Sequence, residues 1–432
     1  MAQMATADLI VVGGGPAGMM AAGRAAERGR RALLLERGPT PGRKLLLTAT
    51  GRCNITNSAP VPEFLAAFGR HGGFLRPALT RFGASELLGW LHRSGVPTVE
   101  ERKGRVFPAS QSARSILDAL LQYLAAGPVT LACEQRVESL WLDQGRLRGV
   151  IVGGRQHAAA AVVLATGGLS YPGTGSTGDG YTLARQAGHS IVETFPALVA
   201  LETEEAWPES AQGTPIKNVR ITARCPDGAM AEVYGEALWT HFGLSGPGIL
   251  EISRPVVLAR RAGQPVTLEL DLRPHDPPAA LQERLLHAIK RQGKAQIGTI
   301  VAGWVAQRTA QIVLRLAGVE PGTRMNQCSR SERRRIVETV KRLTLHVARP
   351  RPIREAVVTG GGVALAEVDA STMASRLLPG LYFAGELLDL DGPSGGFNLQ
   401  AAFSTGYLAG DSIGALGAGA AAEGIASPAA MP

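Results

Sequence analysis

"LIVVGGGPAGMMAAGRAAERGRRALLLERG", residues 9–38, decides the fold. The apolar run Leu9–Val12 has the length of a buried strand, and Gly13, Gly15 and Gly18 follow it with the G-x-G-x-x-G spacing of a dinucleotide-binding turn. Each glycine has its own reason. The first permits the tight turn, the second lets a pyrophosphate reach the backbone, and the third lets the helix lie close on the strand; Pro16 and Ala17 then begin a helix whose unpaired N–H groups face the anion. Ala21, Ala22, Ala25 and Ala26 continue the helix, Gly29 ends it, and Ala32–Leu35 make a second strand. Glu36 closes that strand 18 residues beyond Gly18, where a carboxylate accepts the hydroxyls of an adenosine ribose. A ligand-free glycine turn has no need of the strand, the spacing and the acid together.

The composition narrows what such a domain serves. A chain of 432 residues, 45% hydrophobic and 19% charged, is long enough for two or three domains with cores of their own. No apolar run reaches membrane-spanning length, and the first strand begins almost at the first residue, so neither a signal peptide nor an anchor is expected. Cys53, Cys133, Cys225 and Cys328 are too scattered for a zinc site or a disulfide framework; no metal is expected, and a reducing cytoplasm is. The net charge of +9 is concentrated: residues 278–351 hold fifteen Lys and Arg against four Asp and Glu, more than the excess of the whole chain. Within that segment "SERRRIVETVKRL" reads either as a solvated helical face or as an RNA-binding run with Arg333, Arg334, Arg335, Lys341 and Arg342 on phosphates.

Periodicity organises the remainder. Residues 129–168 read as a third nucleotide-domain strand, a meander turning at Asp143–Gly145, and a further core strand ending in "ATGG". The expected plan is an α/β nucleotide domain in two parts, 1–192 and 351–414, with a β-rich insert at 193–277 and a basic helical insert at 278–350. An Ala/Gly/Pro-rich tail, 415–432, is expected to be disordered. "GTGSTG", residues 173–178, also fits G-x-G-x-x-G, but it follows Tyr171 and Pro172 rather than a strand; it reads as a loop before a helix starting near Asp179. With one dinucleotide site, a nicotinamide reductant, NADPH or NADH, would dock only transiently.

Four longer motifs, "GRKLLLTATGRCNITN" (42–57), "GGLSYPGTGSTGDGY" (167–181), "THFGLSGPGIL" (240–250) and "LYFAGELLDLDGPSGGFNLQAAFSTGY" (381–407), together resemble the bacterial BaiN/RdsA-type flavoproteins, which are NAD(P)/FAD-dependent oxidoreductases. The resemblance covers nearly the whole chain apart from the tail. It implies a Rossmann-like FAD-binding domain of the two-dinucleotide-binding-domain flavoprotein type, with inserted β-rich and small helical domains. It also implies hydride reduction of an activated carbon–carbon double bond, in unsaturated bile-acid intermediates or in large-subunit ribosomal RNA uridine, giving dihydrouridine. Where the family is Gly-rich before "GRCN", this chain has Thr48, Ala49 and Thr50.

On this reading Gly13 to Gly18 and Glu36, with neighbouring Arg37, hold the ADP half of FAD. Arg43, Lys44, Gly51 and Arg52 cover the pyrophosphate and ribityl chain, the cations opposing phosphate charge. Thr166 and Gly167 end a core strand beside them. Gly385 ends another, after which Glu386 and Asp391 are candidates for ribityl hydroxyls. Gly395, Gly396, Phe397 and Asn398 start a helix whose free N–H groups stabilise charge on the reduced flavin. Reducing an enone-like bond also needs a proton beside the hydride. Cys53, Tyr171 and His241 are the candidates: Arg52 would lower the Cys53 thiol pKa unless the cysteine merely packs, and His241 reads more readily as a core histidine. Two other functions stay open, a small-molecule flavin reductase and a non-catalytic flavin-containing RNA-binding factor.

Overall fold

A computed structural model describes residues 7–415, so all but the first residue of the expected tail lies outside the described residues. The described residues form two compact units, one of residues 7–194 and 359–415 and one of residues 195–358.

The first unit is built on a parallel sheet. Its strands Val129–Ala132, Ala32–Leu35, Ala7–Val12, Arg155–Leu164 and Leu381–Phe383 lie side by side in that order, with Leu9 paired to Ala32 on one side and to Ala161 on the other. The antiparallel strands Arg146–Val152 and Val137–Asp143 extend the sheet beyond Arg155–Leu164. Leu9, Ile10 and Val11 are fully buried, as the unbroken apolar run requires of a strand covered on both faces. The turn expected at Asp143–Gly145 is made by Gln144 and Gly145, both with positive φ, the geometry of a two-residue hairpin loop.

The nucleotide helix runs Pro16–Glu27, with proline where a missing N–H costs nothing, and stops at Gly29, whose φ is +83°. The long helix Phe397–Ala415 packs against it through two glycines. A Cβ on Gly406 would sit 2.2 Å from the Ala17 carbonyl oxygen, and one on Gly410 would sit 2.4 Å from that of Ala21. Arg24 and Arg81 clasp Asp411 on the long helix at 2.6 and 2.9 Å. These charges hold the carboxyl below its usual range although burial opposes them.

The second unit is a closed six-stranded antiparallel barrel, Leu201–Thr203, Gly243–Ser245, Gly228–Thr240, Pro215–Cys225, Thr267–Asp271 and Leu343–Pro350, with helices inserted before its last strand. The inserted helices are Pro278–Gln292, Ile297–Ala302, Gln307–Leu316 and Arg330–Lys341. The segments expected as a β-rich part and a helical part share one core: barrel residues Trp239, Leu268 and Leu345 join the helical Leu281, Leu285, Ile336 and Val340. The last strand, "LTLHVARP", alternates with period two but follows a helix directly, and it closes the barrel by pairing with Leu201–Thr203. No helix among the described residues is long and apolar enough to cross a membrane.

Candidate functional site

The three fingerprint glycines meet three different surroundings. Gly13 has φ +108°, and a Cβ there would lie 2.5 Å from the Ala165 carbonyl oxygen. A Cβ on Gly18 would lie 1.9 Å from the Gly13 oxygen, whereas one on Gly15 meets nothing within 4 Å. Two glycines are therefore required by the protein itself, and the middle one faces space a ligand can use. Glu36, only 9% exposed, accepts from the Gly14 N–H at 2.8 Å with one oxygen and from the Gly38 N–H at 2.6 Å with the other. Its carboxylate is fixed in place by the backbone, and each oxygen retains a lone pair for a hydroxyl. The Thr166 hydroxyl at the end of the neighbouring strand is buried with no partner among the described residues.

The expected cations are less free than their spacing suggests. Lys44 donates to Ser170 Oγ and to Glu386 Oε2, both at 2.6 Å. The other oxygen of Glu386 accepts from Ser170 Oγ at 2.9 Å and from the Thr359 N–H at 2.8 Å. Lys44 and Glu386 thus answer each other, and Arg43 is the basic side chain beside Gly38 and Glu36. Arg37 pairs with Asp179 at 3.0 Å and bonds Thr177, which ties the glycine loop 173–178 to the end of the strand Ala32–Leu35. That loop leads into the helix Asp179–Gln186, as its sequence context required.

The segment before Cys53 has an uncommon backbone. Ala49, Thr50, Gly51 and Cys53 have φ of +47°, +58°, +88° and +62°. Ala49 and Thr50 take the left-handed conformation a glycine would take without strain, at a cost of about 1–2 kcal/mol for each side chain. Asn54, its amide turned to meet its neighbours, donates to the carbonyls of Thr56 and Val106 and accepts from the Gly396 N–H at 3.0 Å. Asn57 donates to Gly395 O at 3.0 Å. A Cβ on Gly396, φ +98°, would lie 2.2 Å from Thr56 O. The second motif thereby holds the turn before the long helix, with one correction to the sequence reading: the Gly396 N–H is donated to Asn54 rather than left free. Asn398 secures its own loop, bonding Gly392 N and O at 2.8 and 2.9 Å, and Phe397 packs on Phe64 at 4.7 Å. Gly385, φ +73°, lies where a Cβ would approach Ala17 to 2.9 Å.

Cys53 is fully buried, and burial pushes its thiol up to about 12. The expected lowering by Arg52 is overturned: that guanidinium bonds Gln111 at 2.6 Å, pairs with Glu101 and lies over the Phe107 ring, 4.2 Å from its centre. Tyr171, 37% exposed, stands at φ +52° before the turn Pro172–Thr174. His241 belongs to the other unit and is exposed, edge-on to Phe242, and so is not the core residue its sequence favoured. Of the basic run, Arg333 and Arg335 donate to the carbonyls of Cys328 and Ala317 at 2.5 and 2.7 Å, and Arg334 pairs with Glu338. Lys341 is held by Asp271 and by the carbonyls of Arg273 and Asp276.

A model of the HI0933-like protein Rossmann domain matches residues 7–412. The chain belongs to this family. The chain is a flavin-dependent oxidoreductase. It is 30% identical to a 3-dehydro-bile acid delta(4,6)-reductase of Clostridium scindens, over 93% of this chain and 97% of that one. It is 31% identical to a ribosomal RNA dihydrouridine synthase of Escherichia coli, over 93% and 96%. The solved 3-ketosteroid-delta4-(5alpha)-dehydrogenase of Rhodococcus jostii shares its fold with a TM-score of 0.52 at 17% identity, covering 96% of this chain and 98% of that one.

Sequence reasoning missed Asn54, Asn57, Ser170 and Thr359. The two asparagines carried a signal, being amides in a short stretch with only Ile55 and Thr56 between them. Thr359 carried none. Its hydroxyl accepts from Leu169 N and Ser170 N across 190 and 189 residues of chain, a pairing only the fold creates.

Proposed function

We propose that this protein binds FAD, accepts hydride from NADPH or NADH, and reduces an activated carbon–carbon double bond, with uridine in large-subunit ribosomal RNA as substrate. The observation that carries the cofactor is the pairing of the open position at Gly15 with the backbone-held carboxylate of Glu36, a donor set suited to pyrophosphate and ribose. The unpartnered Thr166 hydroxyl fits the same occupant.

Bound FAD supplies the hydride; the chain's own residues bind, orient and deliver the proton. Glu36 would hold the adenosine ribose, and Arg43 and the start of the helix Pro16–Glu27 would face the phosphates. Phe397 and Asn398 begin the long helix, whose positive end would favour charge building up on the ring system. Cys53 keeps its proton at neutral pH because burial raises its pKa, so it would serve as an acid in its thiol form once substrate reaches it.

Ribosomal RNA is favoured over a small enone by the charge in residues 278–351 and by the name of the Escherichia coli relative. The Clostridium scindens relative supports the second reading, a small-molecule reductase. Nucleoside mass spectrometry of ribosomal RNA tests this. Cells lacking the gene should lack one dihydrouridine, the intact gene should restore it, and a Cys53→Ala gene whose product keeps its flavin should not. An unchanged dihydrouridine content in the deletion strain moves the small-molecule reading ahead, and full rescue by Cys53→Ala reduces the thiol to packing.

A further inference from the structure

The basic residues of 278–351 differ physically. The run Arg333–Lys341 is largely engaged by its own protein, as described above, and Arg284, Arg349 and Arg351 form ion pairs with Asp276, Glu202 and Glu355. Another group makes no such pairs. Lys290 and Arg291 lie in the last turn of the helix Pro278–Gln292, and the chain beyond it, residues 293–297, runs antiparallel to residues 323–326. Asn326 N bonds Gly293 O at 3.0 Å, Met325 N bonds Ala295 O at 2.9 Å, and Ile297 N bonds Thr323 O at 2.9 Å. This clip joins two stretches that are distant in sequence, "KRQGKAQ" (290–296) and "RMNQCSR" (324–330).

The joined edge has a distinctive chemistry. Lys290, Arg291, Lys294, Arg324 and Arg330 are all exposed, and none of them makes an ion pair among the described residues. Between them lie the exposed amides Gln292, Gln296, Asn326 and Gln327. Neither stretch contains a carboxylate, and the next acid along the chain, Glu332, caps its own helix through Ser329 N at 2.7 Å. A helix dipole attracts one or two cations to its C-terminus but does not account for Arg324 and Arg330, which lie outside that helix. Two stretches rich in exposed cations and amide donor–acceptors, with Glu320 the exposed acid nearest to Arg324 in sequence, complement phosphates with base edges between them.

We infer that this clipped edge, rather than the Arg333–Lys341 run, is the surface that holds the RNA backbone. The inference rests on the reading that the substrate is RNA. The five cations neutralise phosphates and supply salt-dependent affinity, and the four amides reach sugars and bases exposed between them.

The test uses the full-length, flavin-loaded protein and a fluorescently labelled fragment of large-subunit ribosomal RNA, titrated at several salt concentrations. Changing Lys290, Arg291, Lys294 and Arg324 together to Gln should flatten the plot of log affinity against log salt by about 3, at roughly 0.7–0.9 per lost phosphate contact. Flavin content, NADPH oxidation and melting temperature should not move, since these side chains are exposed and lie outside the flavin motifs. An Arg334→Gln variant should bind like the wild type. If the quadruple variant keeps the wild-type slope, the edge does not hold RNA and faces an acidic protein or solvent. If the wild type itself fails to bind RNA, both this inference and the RNA reading fall. Salt-dependent binding lost in the quadruple variant, with no gene-dependent dihydrouridine in cells, keeps the surface and discards the uridine substrate.

Discussion

At the scale of single residues, the fingerprint separates glycines the fold needs from one a ligand needs. Gly15→Ala adds a methyl group at φ −81°, an ordinary conformation, with no protein atom within 4 Å. The apo protein should therefore keep its stability within about 0.5 kcal/mol, as for a surface substitution. FAD affinity should fall at least tenfold, because the methyl group occupies the approach of the pyrophosphate. Gly18→Ala should do the reverse, lowering the apo melting temperature by collision with Gly13 O. Melting curves of apo protein and fluorescence titration with FAD read the two effects separately; an unaltered FAD affinity in Gly15→Ala would remove the dinucleotide from this site. Glu36 illustrates a subtler dependence. Replacing it by Gln would turn one acceptor into an NH2 group facing a backbone N–H, so the conservative exchange still breaks the hold on Gly14 or Gly38.

At the scale of elements, the contact between the helices Pro16–Glu27 and Phe397–Ala415 depends on small residues. Gly406→Ala would force the Ala17 carbonyl away from a position 2.2 Å from the new Cβ. We expect a loss of about 1–3 kcal/mol, as for overpacking elsewhere, visible as a lower midpoint in urea unfolding. An unchanged midpoint would mean that the helices can part without cost. This level also shows what the sequence could and could not reveal. The strands and helix of residues 9–36 were legible because each rule, apolar run, glycine spacing and terminal acid, pointed the same way. The strand Leu343–Pro350 was not, because its alternation is short and its neighbours are helical; only closure against Leu201–Thr203 makes it part of a barrel. The pairing of Lys44 with Glu386 was equally hidden, since each had a separate role in its own motif and they stand 342 positions apart in the chain.

At the scale of the whole molecule, the two units have cores of their own, one around the parallel sheet and one filling the barrel and its helices. Residues 195–358, with a closed barrel and no open sheet edge in it, should fold when produced alone. Circular dichroism of that fragment should show β structure and a single cooperative thermal transition; a broad, non-cooperative melt would show that the unit depends on the rest of the chain. The division also explains why charge and chemistry could be assigned to different stretches of sequence: the motifs that shape the dinucleotide site lie before residue 195 or after residue 358, and the basic excess lies between.

The split of the first unit has a consequence for how the protein is made. Gly406 reaches its place beside Ala17 only after 389 further residues have been synthesised. At roughly 5–20 residues per second, the helix Pro16–Glu27 waits about 20–80 s on the ribosome before its partner emerges. Throughout that interval the surface destined for the long helix is open to water, while the intervening unit can complete its barrel and fold first. The turn before the long helix, held by Asn54 and Asn57, likewise forms only when synthesis is nearly over.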